Sequence, residues 1–147
     1  EGPVAPALKV STSGSVSDFD VKLFDVYPND QPDPVPNPSR VRLGGYQQLV
    51  RGEPFRGKFR KSLEKPEPFS RGKAETIAYS MPDVYHTFRK GHRIMIQIQS
   101  SWFPLTDRNP QTFVDIPKAK AANFIKAVER VYRGGPEGSR IRVLVLE

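Results

Sequence analysis

The chain has 147 residues, a formal net charge of +7 and a pI near 9.8, with fifteen prolines, eleven glycines and no cysteine. That length suits one domain with a hydrophobic core of its own, and the missing thiols exclude disulfides and thiolate zinc sites. No run of residues is apolar enough to span a bilayer, and the N-terminus lacks a charged segment followed by an apolar one.

Prolines and glycines at short intervals favour many short strands over long helices. "ALKVST" (7–12) reads as a short strand. In "SDFDVKLFDVYP" (17–28), Phe19, Val21 and Leu23 fall on one face and Asp18, Asp20 and Lys22 on the other. The phase blurs at Phe24 and Val26, as expected where a strand end is covered on both sides. "NDQPDPVPNPSR" (29–40) carries four prolines in twelve residues, cannot hold ladder bonds, and is expected to be an exposed loop. "VRLGGYQQLVRG" (41–52) resumes as strand, broken by Gly44-Gly45.

Basic residues concentrate in "RGEPFRGKFRKSLEKPEPFSRGK" (51–73), with Phe55, Phe59 and Phe69 among them. A phosphate-tracking patch with stacking rings is one reading. Glu53, Glu64 and Glu67 dilute the field, so the favoured reading is a solvated loop anchored by its phenylalanines.

"KAETIAYSMPDVYHTF" (73–88) places Ile77, Tyr79 and Met81 on one face and ends its run at Pro82. "HRIMIQIQS" (92–100) has the clearest alternation, with Ile94, Ile96 and Ile98 facing in and Arg93, Met95, Gln97 and Gln99 facing out, the mark of a half-buried antiparallel strand. It runs into a loop that carries the only Trp of the chain, in "SWFPLTDRNPQ" (101–111). "IPKAKAANF" (116–124) suits one or two helical turns, with Pro117 in the first. "KAVERVYRGGPEGSRIRVLVLE" (126–147) reads as a closing hairpin, with a helix through Phe124, Val128 and Val131 as the competing reading of its first arm. Together these predict an all-β sandwich with Greek-key or jelly-roll connections.

A search for chemistry finds little. "SGSVS" (13–17) lacks the last glycine of a nucleophile elbow and the helix after it. His86 and His92 are the only imidazoles, and each reads as structural rather than catalytic. Five residues between them across a turn do not place both rings on one face, which argues against a metal pair. The oxygens of "DFD" (18–20) and "NDQPD" (29–33) lack the glycine and terminal Glu of an EF-hand loop. No catalytic residue, metal or cofactor is assigned.

Four long stretches carry a resemblance: "SDFDVKLFDVYP", "LVRGEPFRGKFRKSLEKPEP", "VYHTFRKGHRIMIQIQSSWFPLTDRNPQ" and "VERVYRGGPEGSRIRVLVLE". The chain resembles, over 1–147, the C-terminal domain of the X-Pro dipeptidyl-peptidase and cocaine esterase group of serine hydrolases. The wording of 91–113 is most similar to α-amino acid ester hydrolases and cephalosporin (glutaryl) acylases. The resemblance implies a single jelly-roll β-sandwich of galactose-binding-like type, incomplete at its N-terminus. It implies a fragment of a larger bacterial enzyme, in keeping with a first residue that is not Met. In such enzymes the triad and the oxyanion-hole tyrosine lie in an α/β-hydrolase domain, so none of those roles passes to this chain. The α/β-hydrolase and cap domains of the same polypeptide become the expected partners. A small amino-acyl ester or amide becomes the expected substrate of the parent, whose setting is expected to be periplasmic or secreted. Homo-oligomerisation is a further expectation, and neither nucleic acid nor a membrane is an expected partner.

The resemblance also gives the aromatic loop a role. Trp102 and Phe103 are expected at the end of the sandwich that faces the hydrolase domain, lining the acyl pocket or only packing between domains. Asp107 and Arg108 are expected to tie the loop down by an ion pair or backbone bonds. The alternative is an independent carbohydrate- or ligand-binding module, in which exposed planar rings such as Trp102 would serve.

Overall fold

The structure, a computed structural model, describes residues 2–146. Nine strands run in chain order: β1 (Gly2–Pro3), β2 (Ala5–Thr12), β3 (Asp20–Val26), β4 (Gln47–Glu53), β5 (Glu75–Ala78), β6 (Asp83–Val84), β7 (Arg93–Gln99), β8 (Glu129–Val131) and β9 (Arg140–Arg142). Among the described residues there is no α-helix; short 3-10 turns occupy Gly57–Phe59, Ile116–Lys118 and Ala121–Asn123. The last two fall where "IPKAKAANF" predicted helical turns. All strand pairings are antiparallel, as the all-β reading expected.

Two sheets face each other across the core. One has β2 at its centre, between β5 on one side and β8 and β9 on the other; the second has the order β4-β3-β7. Strand alternation explains the packing between them. β2 sends Leu8 and Val10 inward, β3 sends Val21 and Leu23, and Val4, Phe19, Phe69, Ile77 and Met81 complete the buried cluster. Burying such side chains stabilises by about 1.5–3 kcal/mol each. The proline-rich segment after β3 forms no strand and is largely exposed, and Gly44-Gly45 closes it at a turn before β4, so the strand begins later than the sequence suggested.

Three expectations need correction. First, the closing hairpin does not form. β8 and β9 both pair with β2, Val10 opposite Val131 and Ala7 opposite Arg140. They make one edge lane, interrupted by an excursion over 133–138 in which Gly134 and Gly135 adopt positive φ of 78° and 68°. Lys9 closes the gap: its carbonyl accepts from the Tyr132 N–H (2.9 Å) and its N–H donates to the Ser139 hydroxyl (2.9 Å). Periodicity cannot separate these arrangements, because each arm alternates the same way in both. The competing helix through Phe124, Val128 and Val131 is absent too.

Second, β7 faces the core as predicted but is not covered along its length. Val21 lies opposite Ile98, Leu23 opposite Ile96 and Asp25 opposite Ile94. Ile98 packs against the core, while Ile96 is 36% and Ile94 62% exposed. The sheets part toward this end and leave an apolar groove of about 560 Å³ lined by Val4, Leu23, Val84, Ile96, Ile141 and Leu144.

Third, Asp20 on β3 and Asp18 just before it, on the face away from Val21 and Leu23, are nonetheless buried. The segment after β4 crosses over them: the Phe19 N–H donates to the Phe55 carbonyl (2.9 Å), and Asp18 and Arg56 form an isolated bridge.

Candidate functional site

The loop that follows β7 is built on Asp18. Its carboxylate accepts hydrogen bonds from Arg56 (2.7 Å) and from the Asn109 amide (2.8 Å). Asn109 is itself buried and accepts from the Gln111 N–H (2.9 Å). Arg56 also donates to the Asp107 carbonyl (3.3 Å). Gln111, at positive φ, donates its side-chain amide to Glu129 and to the Val16 carbonyl, both at 2.8 Å. The base of the loop is therefore held by two buried or half-buried carboxylates.

The electrostatics of this base follow from burial. Desolvation raises Asp18 above the ordinary carboxylate range and outweighs the opposing Arg56 and Asn109. Asp20 is pushed up to about 6, first by burial and then by the neighbouring Asp18 charge. Its Oδ1 accepts weakly from the Phe55 N–H (3.3 Å), and its Oδ2 meets no donor among the described residues. Glu129 is raised by burial against the Thr12 hydroxyl. Tyr79, stacked on Phe55 at 4.4 Å, is raised by burial and by the Asp20 charge.

On this base the aromatic residues separate. Trp102 is half-buried: the Lys22 ammonium sits 3.9 Å above its ring, and the ring edge occupies the space where a side chain at Gly52 would stand. Phe103 points outward, 58% exposed, with the Arg108 guanidinium 4.6 Å from its centre. Leu105, a residue the sequence reading did not single out, is 63% exposed beside it. Of the two ties expected of Asp107 and Arg108, an ion pair is absent among the described residues and a backbone bond is present, from Arg56 to the Asp107 carbonyl. Asp107 contributes its backbone carbonyl, and Arg108 covers Phe103 instead.

The two histidines lie elsewhere and do converge, against the spacing argument. His86 Nε2 and His92 Nδ1 contact the two oxygens of buried Asp25 at 2.9 and 2.8 Å. His92 stacks on Tyr27 at 4.5 Å and His86 meets Phe88 edge-on at 4.8 Å. The turn between the rings folds the segment back over the end of β3, which spacing alone could not reveal. Neither imidazole has a hydroxyl partner among the described residues, so no nucleophile–base pair forms there.

Half of the basic stretch is engaged internally, while Lys58, Lys65, Arg71 and Lys73 make no ion pair among the described residues. The Arg60 side chain, 3% exposed, pairs with Glu75 (2.9 Å), donates to the Gly57, Glu67 and Pro68 carbonyls, and lies 3.9 Å over Phe69. Lys61 pairs with Glu67 (2.7 Å) at the surface and Arg56 with Asp18 beneath it. Phe69 is buried and Phe55 packs on the core, as the anchoring reading of this stretch required.

All-antiparallel strands in two facing sheets, with polar clusters that knit the loops onto them, define the class as a β-sandwich domain. Residues 1–142 match the family of the X-Pro dipeptidyl-peptidase C-terminal non-catalytic domain, and the chain belongs to that family. It is 32% identical over 146 residues to the cocaine esterase of Rhodococcus sp. (strain MB1 Bresler), covering 99% of this chain and 23% of that protein. Its structure is similar to an aminopeptidase from the marine sediment archaeon Thaumarchaeota archaeon, with a TM-score of 0.89, 42% identity, and coverage of 99% of this chain and 23% of that one. An α-amino acid ester hydrolase superposes with a TM-score of 0.83 at 42% identity, covering 95% of this chain and 23% of that one. The chain thus spans about a quarter of the length of each of these relatives.

Proposed function

We propose that the chain serves as the accessory β-domain of a serine hydrolase, packing on the α/β-hydrolase domain of the same polypeptide and forming part of the wall of its acyl pocket. The observation that carries this reading is the loop 102–108. It presents Phe103 and Leu105 to solvent from a base fixed by buried Asn109, Asp18 and the Arg56 guanidinium. A loop held so firmly while displaying apolar side chains is suited to meeting another surface. Trp102 supports the loop from below, and Phe103, with Leu105, makes the contact. The relatives' names, an esterase, an aminopeptidase and an amino acid ester hydrolase, support an ester or amide of a small amino acid as the parent's substrate.

The test uses the full-length polypeptide. Phe103→Ser combined with Leu105→Ser should raise KM for an aminoacyl ester or lower the melting temperature, while the β-domain itself stays folded. Unchanged kinetics together with unchanged melting would remove the loop from the domain interface.

A further inference from the structure

A polar cleft of about 560 Å³ opens beside the histidine–aspartate cluster, between the end of β3, the segment 27–48 and the segment 86–92. Its chemistry is one-sided. Arg89 and Lys90 both line it, both are exposed, and neither makes an ion pair among the described residues. The Tyr27 hydroxyl donates to Gln48 Oε1 (2.8 Å), which leaves the Gln48 amide NH2 free to donate. The single acidic group of the lining, Asp25, is buried, and both its oxygens are already occupied by His86 and His92. A carboxylate offers acceptors only, so each imidazole gives it an N–H and keeps one further ring nitrogen, a donor whenever that ring is protonated.

We propose that this cleft binds a small oxyanion, a phosphate or a carboxylate. Besides the neutral acceptors of Gln31 and Thr87, the lining offers no free anionic group to Arg89 and Lys90, and an oxyanion supplies one. It would sit between the Arg89 guanidinium, which matches planar oxyanions two-pronged, and the Lys90 ammonium. The Gln48 amide would provide a neutral third donor. The occupied Asp25 carboxylate presents no bare oxygen to repel the ligand. This site is separate from the loop 102–108 and does not rest on its role.

The test titrates the isotope-labelled chain with inorganic phosphate and, separately, with acetate, at fixed pH and ionic strength balanced with sodium chloride. The expected result is a saturable shift of the His86 and His92 ring signals. It should be weakened about tenfold or more in the Arg89→Ala/Lys90→Ala variant, whose melting should be unchanged because neither side chain makes a hydrogen bond or ion pair among the described residues. Saturation by phosphate alone assigns a phosphate site, and saturation by both a site open to carboxylates. Shifts that chloride reproduces, shifts that never saturate, or an affinity the double variant leaves intact would each overturn the proposal.

Discussion

The Trp102 ring occupies the volume that a side chain at Gly52 would fill, so β4 and the loop after β7 interlock at one point. Because glycine has no Cβ, the ring can drop against the sheet, with the Lys22 ammonium closing over it. Gly52→Val should therefore expel Trp102. As this is the only Trp of the chain, its fluorescence should move to longer wavelength, with a stability loss of about 1–3 kcal/mol. An unchanged emission spectrum would show that the ring is not seated there.

Asp20 should make stability fall as pH rises. Its carboxyl binds a proton more tightly folded, at about 6, than at the ordinary value of 3.8. The folded state is therefore favoured most below the ordinary value. That advantage drains away as pH climbs through about 6, and above it the fold carries a buried charge. Asp20→Asn keeps the contact with the Phe55 N–H and removes the charge. The variant should melt higher than wild type at pH about 8, with the gap shrinking toward pH about 5. A gap that is constant with pH would assign the titration elsewhere.

Arg60 should contribute to stability although it sits in a run of surface-like charges. Arg60→Ala removes the partner of half-buried Glu75 and of the Gly57 carbonyl, leaves the exposed Glu67 and Pro68 carbonyls to water, and should cost about 1–3 kcal/mol. Arg60→Lys should recover little, because one ammonium cannot reproduce the fork that reaches all of those acceptors. Chemical denaturation of both variants is the check, and wild-type stability in the lysine variant would contradict the geometry.

The isoleucines of the two sheets should behave differently. Ile77→Ala, in a fully buried position, should cost about 2–5 kcal/mol. Ile94→Ala, mostly exposed on the groove, should cost less than about 1 kcal/mol in this chain. Equal losses at the two sites would mean that the groove is closed in solution.

What the sequence made legible was local. The alternation in β3 and β7 located both strands and their inward faces, and the prolines of 29–40 marked an exposed loop. What it hid depended on partners distant along the chain. Asp18 and Asp20 read as an outer polar face because nothing in the sequence announces that the segment after β4 lies across them. Asp25 is buried because His86 and His92 reach it from more than sixty positions away. Arg60 looked like any cation of its run until the fold wrapped carbonyls around it. In the loop, Trp102 drew attention by its size, whereas the more exposed Leu105 had no pattern to announce it. The groove edge of β7 was also unreadable, since alternation reports which way a side chain points and not whether anything stands opposite.

The interrupted edge lane formed by β8 and β9 makes the excursion 133–138 a natural splice point. Register on either side is set independently, by Val10 against Val131 and by Ala7 against Arg140, and the Ser139 hydroxyl seals the junction onto Lys9. Nothing in the sheet counts how many residues lie between. A longer peptide, an epitope or a fluorescent amino acid grafted in place of Gly134–Gly138 should leave both halves of the lane aligned. This edge of the sandwich can thus change length and cargo while the core keeps its pairing.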